Sequence, residues 1–431
     1  MPETSGSPGP AAIIGRFRWW IVVLLFFATT INYIDRQVIA LLKGTLTTEL
    51  AWSPDHAEEY YSWIAATFQA LYAMGYLFGG RLMDVIGLRR GYTLSVTLWS
   101  LAAAAGGMVS SVFGFCFVRG ALGLAEGGNF PAAVKAVTEW FPKKERALAT
   151  GIFNAGSNFG PVLTPPLVAW LTLSYGWRSA FYVTGSFGLV FVIAWLLVYK
   201  RPEEHPSVSP AELAHIQSDP PDPDTRASWA SLLKVKGAWA FIVGTAFGSP
   251  IWWFWLFWAP DFFDKRFGLD LKNIGLPLIA IYLLADVGSV GAGWLSSSII
   301  KRGWDPVRAR KIVMLGCALC VVPVTLAANV PTAWGAVGLI GLAAAAHQGW
   351  SCNLYTLVSD TLPRHSVSSV VGMGGLAGSA MGMFFSLYVG KVLQETHSYS
   401  TIMVLAPVAY LAALAIIHLL LPAKKEQGAA A

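Results

Sequence analysis

The chain has 431 residues, of which 55% are hydrophobic and only 13% are charged, with a net charge of +6 and 19 tryptophans. Soluble domains have about 25% charged residues, so this composition excludes an ordinary soluble domain. Most of the 30 Lys and Arg fall at the ends and in alternate loops between apolar segments, which is typical of membrane proteins and argues against nucleic-acid binding.

Apolar segments long enough to cross a bilayer recur along the whole chain. A transmembrane helix needs about 20 mostly apolar residues. We therefore predict an all-α integral membrane protein with twelve transmembrane helices in two pseudo-symmetric six-helix bundles. The predicted spans are 19–42, 61–82, 91–110, 113–137, 147–172, 178–199, 238–263, 274–299, 311–330, 333–358, 367–393 and 399–421.

A proline-rich polar segment divides these spans six and six, and Ser209 and Pro210 begin a short surface helix within it. A weak internal repeat supports duplication of a six-span unit, since Glu139-x-x-Pro142 recurs as Asp360-x-x-Pro363. The expected organisation is a cytoplasmic tail (1–18), an N-terminal bundle (19–199), a cytoplasmic linker (200–237), a C-terminal bundle (238–421) and a second cytoplasmic tail (422–431).

The distribution of Lys and Arg predicts that both termini face the cytoplasm, as in a multi-pass protein of a bacterial inner membrane. The N-terminus lacks the features of a cleaved signal peptide, so the first span should remain. All four cysteines fall within predicted spans, and Cys317-x-x-Cys320 is best interpreted as a packing pair because no other ligand flanks it. We expect no cofactor, no metal and a monomer.

The first span contains Asp35 and Arg36 in the sequence INYIDR. Neighbouring residues point about 100° apart on a helix, so each charge needs its own partner on another helix. These residues either form structural ion pairs or bind substrate and protons. The acidic outer loop that follows, from Lys43 to Tyr60, is expected to be a solvated cap.

In the second span, Tyr72 either faces a polar solute or is a packing or interfacial residue. Gly75 and Gly79 in this span have the spacing that lets helices pack closely. A glycine-rich turn follows at its inner end and is expected to form a latch between the two halves. The latch residues are Gly80, Asp84, Gly87, Arg89 and Arg90.

The fourth span contains Arg119 and Glu126, seven residues apart on one helix face. A charge at the bilayer centre costs at least about 2.5–3.5 kcal/mol, so such residues usually face a water-filled path for a solute. In the fifth span, Asn158 either binds a sugar hydroxyl or bonds a neighbouring helix.

The second half of the chain adds aromatic and polar candidates. Trp252 and Trp255 could stack on a sugar ring, whereas Trp258 is expected in an outer interfacial belt. Asp286 is a candidate proton site or cross-helix partner. The tenth span gathers three further candidates for substrate binding: His347, Gln348 and Asn353.

Three segments in particular, INYIDRQ, LGLAEGGNFPAAVKAVTEWFP and AHQGWSCNLYTLVSD, resemble those of the major facilitator superfamily. More narrowly, the chain is similar to the anion:cation symporter family and its hexuronate transporters. The resemblance implies proton-coupled uptake of a sugar acid by alternating access. It implies that Asp35 and Glu126 carry protons, that Arg36 and Arg119 handle the substrate carboxylate and gating, and that Tyr72 lines the substrate site.

The expected partners are therefore a small organic anion, most simply a hexuronate such as glucuronate or galacturonate, together with protons and the lipid bilayer. Ionised Glu126 is expected to hold an Arg in a buried ion pair, and its protonation would free that Arg for substrate. The alternatives are transport of galactonate, another aldonate or an aromatic acid, a uniporter or exchanger, a membrane-embedded substrate sensor, and a membrane enzyme. An enzyme is disfavoured because the polar residues lie at mid-membrane.

Overall fold

The computed structural model describes residues 15–218, 229–362 and 364–422, and most of these residues are helical. Two short 3₁₀ helices, Pro202–Glu204 and Val322–Leu326, follow the seventh and twelfth α-helices. The α-helices are α1 (Arg18–Glu49), α2 (Ala57–Ile86), α3 (Leu88–Ala105), α4 (Val112–Glu126), α5 (Asn129–Trp140), α6 (Lys143–Tyr175), α7 (Trp177–Val198), α8 (Pro210–Ile216), α9 (Trp229–Leu232), α10 (Lys236–Phe267), α11 (Gly275–Lys301), α12 (Pro306–Val321), α13 (Ala333–Thr361), α14 (Arg364–Thr396) and α15 (Ser400–Leu420).

The twelve predicted spans coincide with the long helices, but two of them are not continuous α-helices. The predicted span 311–330 passes from α12 into the 3₁₀ helix Val322–Leu326. The predicted span 113–137 is not continuous, because α4 ends at Glu126 and α5 begins at Asn129. Seven of the described helices are long and apolar enough to cross a membrane, judged by length and composition alone. Helices α4 and α5 are each too short by themselves, since they divide one span between them.

Helix pairing repeats between the two halves of the chain. In the first half α1 packs on α6, α2 on α4, and α3 on α7. In the second half the equivalent helices pair in the same order, α10 on α14, α11 on α13, and α12 on α15. The halves meet where α2 contacts α14, α6 contacts α11, and α1 contacts α10. This arrangement confirms the predicted pair of pseudo-symmetric six-helix bundles.

Glycines bring α2 close to α4 and to the turn that interrupts the fourth span. A Cβ placed on Gly79 would lie 2.5 Å from Cα of Gly128, so the two backbones are nearly in contact, as the spacing of Gly75 and Gly79 predicts. A Cβ on Gly127 would lie 2.5 Å from the backbone nitrogen of Tyr76. A two-residue turn therefore separates α4 from α5 where there is no room for side chains, and both Gly127 and Gly128 keep right-handed helical backbone angles.

The described start of the linker is bound to the first half of the chain. Arg18 Nε donates to Glu145 Oε2 at 2.9 Å, and Arg18 Nη1 donates to Glu212 Oε1 at 3.1 Å. His215 on α8 also lies 2.9 Å from Glu145. Burial raises the pKa of the Glu145 carboxyl, but the hydrogen bonds from Arg18 and His215 outweigh burial and leave that pKa below its usual value. Residues 219–228 of the predicted linker lie outside the described part.

Candidate functional site

A buried ion pair joins α1 to α4 at mid-membrane. Arg36 Nε donates to Glu126 Oε2 at 2.7 Å, and the two side chains are 2% and 0% exposed. Arg36 Nη2 also donates to Asn32 Oδ1 at 2.7 Å. Because α4 ends at Glu126, this carboxylate sits at the helix break. Arg36 and Glu126, which the sequence places on separate helices, therefore form an ion pair with each other.

Aromatic rings enclose the Arg36 guanidinium. Its Cζ lies 4.5 Å from the centroid of Tyr33, 4.4 Å from that of Tyr72 and 5.3 Å from that of Trp253. A planar guanidinium can stack on such faces while its edge bonds carboxylate and amide oxygens. This group of residues, Arg36, Glu126, Tyr33, Tyr72 and Trp253, is called the arginine cage below.

Arg119 occupies a different position from Arg36. Its guanidinium donates to the backbone carbonyls of Asp35 at 3.0 Å and Arg36 at 3.1 Å, and it lies 4.6 Å from the centroid of Phe68. The Asp35 carboxylate lies near the Thr184 hydroxyl, and its charged neighbours are Glu126 and Arg119. Arg119 therefore fixes the backbone of α1 beside two buried acids.

The site continues into the second half of the chain. Gln37 Nε2 donates to the hydroxyl of Tyr282 at 2.9 Å, which links α1 to α11. Trp252 stacks on His347 with ring centroids 5.0 Å apart and an interplanar angle of 9°. His347 Nδ1 in turn lies against the hydroxyl of Tyr410. A flat aromatic surface and several hydroxyl and imidazole groups thus face the interior from the second bundle.

Asn158 connects the two halves at the same depth. Its Nδ2 donates to Asp286 Oδ1 on α11, and its Oδ1 accepts from Gln348 Nε2 on α13 at 3.0 Å. All three side chains are only partly buried. The sequence left two roles open for Asn158, binding a sugar hydroxyl or bonding a neighbouring helix. The observed contacts are to neighbouring helices, and they place its amide at the boundary between the bundles.

Two residues that the sequence predicts to bind substrate, Trp255 and Asn353, lie apart from these contacts. Trp255 is 1% exposed and packs against Phe254, whereas it is Trp253 that reaches the arginine cage. Asn353 is fully buried, and its Nδ2 donates to the Gly349 carbonyl at 2.9 Å, so the amide bonds helix backbone. Their roles in substrate binding stay predictions.

The proposed latch residues lie at the turn between α2 and α3, on the predicted inner side. Gly87 has φ of 83°, a conformation that favours glycine. Arg89 Nη2 donates to the Leu196 carbonyl at 2.6 Å, so in this conformation Arg89 bonds within the first bundle. Gly80 and Arg90 lie in the same region, and the side chain of Asp84 is outside the described part.

A second buried charge cluster closes the predicted outer ends of the two halves. Lys43 Nζ lies 2.6 Å from Glu58 Oε2 and 2.7 Å from Asp261 Oδ1. Lys265 bonds Glu58, and Tyr399 bonds Asp261. We call these five residues the outer cluster. Lys43 and Glu58 belong to the first half, and the other three belong to the second.

Two expectations for this region were wrong. Glu58 is not part of a solvated cap, because it lies in the first turn of α2 and its carboxylate bonds Lys43 and Lys265 in the interior. Trp258 is not in an outer belt at the lipid surface, because it is 0% exposed and the Lys43 ammonium lies 4.6 Å from its ring. Sequence spacing alone could not distinguish a lipid-facing indole from one buried between bundles.

Several residues of the site were not singled out from the sequence. Tyr33 lies three residues before Arg36 and shares its helix face, which helical periodicity could have indicated. Gln37 shares the face of Tyr33, four residues before it. Trp253 and Tyr282 gave no such signal, because their position depends on how α10 and α11 pack against α1.

The arginine cage is closed around its own side chains. A cavity of about 610 Å³ lies at the predicted outer end beside Lys43, Asp261 and Lys265. A smaller one of about 30 Å³ lies beside His347, Trp350 and other residues of the second bundle. Among the described residues there is no group of three or more His, Cys, Asp or Glu placed to hold a metal ion. A substrate at Arg36 would have to displace an existing contact.

The sequence pattern of the Major Facilitator Superfamily matches residues 25–387. The chain belongs to this family. It is therefore a multi-pass membrane transporter and not an enzyme. The arginine cage and the outer cluster are accordingly features of a transporter with two bundles.

Relatives of this Major Facilitator Superfamily chain include several with curated names. The hexuronate transporter of Escherichia coli (strain K12) is 32% identical over 410 residues, which cover 93% of each chain. The galacturonate transporter of Dickeya chrysanthemi is 32% identical over 317 residues, or 72% of this chain and 90% of that one. The probable galactarate/D-glucarate transporter GarP of Escherichia coli (strain K12) is 28% identical and covers 90% of each chain.

Solved structures with the same fold include the xylose transporter XylE from E. coli in a partially occluded inward-open conformation. It superposes with a TM-score of 0.74 at 13% identity, covering 96% of this chain and 100% of that one. A bacterial homologue of the human lysosomal transporter Spinster, inward-facing and unoccupied, gives a TM-score of 0.68 at 18% identity, with 96% of each chain covered.

Proposed function

We propose that this protein imports a hexuronate, such as glucuronate or galacturonate, together with protons by alternating access. The observation that carries the proposal is the buried Arg36–Glu126 pair inside an aromatic cage to which both bundles contribute. A guanidinium matches a carboxylate in geometry, and the surrounding amide, phenol and indole groups suit sugar hydroxyls and C–H faces. The names of the relatives support a sugar acid as substrate.

Proton coupling follows from the cost of leaving a buried charge unpaired. Ionised Glu126 neutralises Arg36, and removing one partner of a buried ion pair typically costs about 3–5 kcal/mol. A substrate carboxylate can replace Glu126 as the partner of Arg36 only if Glu126 takes up a proton. Substrate anion and proton then enter together with no net charge. Asp35 provides a second acid beside Arg119 that could be protonated in another state of the cycle.

The remaining residues have assigned places in this scheme. Tyr72 shapes the carboxylate end of the site, whereas Trp252, His347, Gln348 and Asn158 bind the hydroxyl-bearing end from the second bundle. The bundles 19–199 and 238–421 move as two bodies joined by the linker 200–237, and the glycine-rich inner turn acts as a latch when the inner ends close. We place the protein as a monomer in a bacterial inner membrane, with both termini in the cytoplasm.

The test is Glu126→Gln in proteoliposomes. Glutamine keeps the shape of Glu126 but takes up no proton, so accumulation of labelled galacturonate driven by an imposed pH gradient should be lost. Counterflow exchange without a gradient should survive. Accumulation at the wild-type level in this variant would remove Glu126 from the coupling step, and absence of any sugar-acid exchange in wild-type protein would overturn the proposal.

A further inference from the structure

Asp286 is a carboxylate at the site that the scheme above does not use. It lies one helical turn after Tyr282 on α11, and Tyr282 bonds Gln37, the residue next to Arg36. Residues four apart share a helix face, so Asp286 points to the same interior as Tyr282. The contact with Asn158 places it where the two bundles meet.

The chemical asymmetry of the site follows from these contacts. At one end, Arg36 is positioned to bind a carboxylate once Glu126 is protonated. At the other end, Asp286 accepts from the amide of Asn158, which in turn accepts from Gln348. Tyr282, one turn before Asp286, lies 6.2 Å from the ring of Trp252, which stacks on His347. Carboxylates and amides are good partners for sugar hydroxyls, whereas a carboxylate repels another carboxylate.

We infer that Asp286 is a specificity residue that accepts hydrogen bonds from the hydroxyl end of the substrate and rejects sugar acids with a carboxylate at both ends. The protein then prefers monocarboxylate sugar acids such as galacturonate to dicarboxylate ones such as glucarate. The inference rests on the proposed function. It goes beyond that function by assigning the discrimination between two classes of sugar acid to one side chain.

The size of the effect can be bounded from electrostatics. Two like charges about 10 Å apart, at an effective dielectric constant of about 20, change an affinity roughly tenfold. Asparagine has the shape of Asp286, can keep a contact with Asn158, and has no charge. Asp286→Asn should therefore remove most of the discrimination without removing galacturonate binding.

The experiment is counterflow exchange of labelled galacturonate in proteoliposomes, with unlabelled galacturonate or glucarate as competitor. In wild-type protein, glucarate should compete about tenfold more weakly than galacturonate. In Asp286→Asn the ratio should fall to about threefold or less. Asp55→Asn, at an exposed position of the outer loop, is the matched control and should keep the wild-type ratio.

Each outcome decides between the alternatives. An unchanged competition ratio in Asp286→Asn, or a wild-type preference for glucarate, overturns the inference while galacturonate exchange upholds the proposed function. Absence of exchange of any sugar acid in wild-type protein overturns both. If Asp286→Asn proves unstable, the same ratio is measured in Asp286→Ser, which also removes the charge and is smaller.

Discussion

Arg36 has a set of contacts that a lysine cannot reproduce. Its guanidinium bonds Glu126 and Asn32 with two different nitrogens while its face lies 4.4 Å from the Tyr72 ring. A lysine keeps the charge but offers a compact ammonium without a planar fork. Arg36→Lys should therefore weaken galacturonate affinity at least about tenfold, which corresponds to ~1.4 kcal/mol. Isothermal titration of detergent-solubilised protein measures this change.

The matched control is Arg178→Lys, because Arg178 is exposed at the start of α7, where its guanidinium lies over the Trp177 ring. The Arg178→Lys variant should bind galacturonate with the affinity of wild type. Wild-type affinity in Arg36→Lys would transfer carboxylate binding to Arg119, whose guanidinium now bonds the backbone of α1.

The sequence identified the buried charges but not their pairing. Helical spacing gives the depth of Arg36, Arg119 and Glu126 along each span, and the cost of an isolated charge in lipid implies that they face inward. The choice of Arg36 over Arg119 as partner of Glu126 depends on the rotation of α1 against α4, and neither helix alone contains that information. The rotation of α10 likewise decides that Trp253, and not Trp255, reaches the arginine cage.

At the scale of whole helices, close packing of α2 against α4 and α5 holds Glu126 in place. A Cβ on Gly79 would lie 2.5 Å from Gly128 Cα, so a larger side chain has to push the helices apart. Overpacking typically costs about 1–3 kcal/mol, and Gly79→Val should lower thermal stability by that order. The unfolding midpoint in detergent, followed by intrinsic fluorescence, measures the change.

Gly151→Val serves as the control, because no atom lies within 4 Å of a Cβ placed on Gly151 in α6. It should melt close to wild type. Equal losses in both variants would mean that valine in a helix, and not contact with α4, accounts for the effect.

The sequence predicted where helices lie better than where they break. Apolar length is a property of each segment, so the twelve spans could be read one at a time. The break after Glu126 falls at Gly127, which packs on the backbone of α2 beside Tyr76, and that packing is a tertiary contact. A pair of glycines within an apolar segment is compatible with a continuous helix, so the sequence alone did not indicate this break.

At the scale of the molecule, the outer cluster ties the two bundles together. Lys43 of the first bundle lies between Glu58 and Asp261 of opposite bundles, and its side chain is only 3% exposed. Without Lys43, two acids would face each other in a buried interface. Lys265 also bonds both acids, but its side chain is 45% exposed and contributes less because solvent screens it.

Lys43→Gln should therefore shift the molecule toward a conformation in which the outer ends are separated. Ser62 reports that opening, since it is 2% exposed on α2 and a Cβ on Gly390 of α14 would meet its side chain. Even a third of the ~3–5 kcal/mol typical of a broken buried pair would change the open population about tenfold. The rate at which a membrane-impermeant maleimide labels Ser62→Cys in proteoliposomes measures this population.

Labelling of Ser62→Cys should be about tenfold faster in the Lys43→Gln background than with Lys43 intact. Lys391→Gln is the control, because Lys391 pairs with Glu395 on an exposed surface of the second bundle alone and should leave the rate unchanged. Protein without Ser62→Cys corrects for labelling of the four native cysteines. Asp261→Asn removes the partner from the opposite bundle and should also speed labelling. If neither Lys43→Gln nor Asp261→Asn speeds labelling relative to protein with the cluster intact, the outer cluster does not hold the bundles closed, and packing between α2 and α14 does so instead.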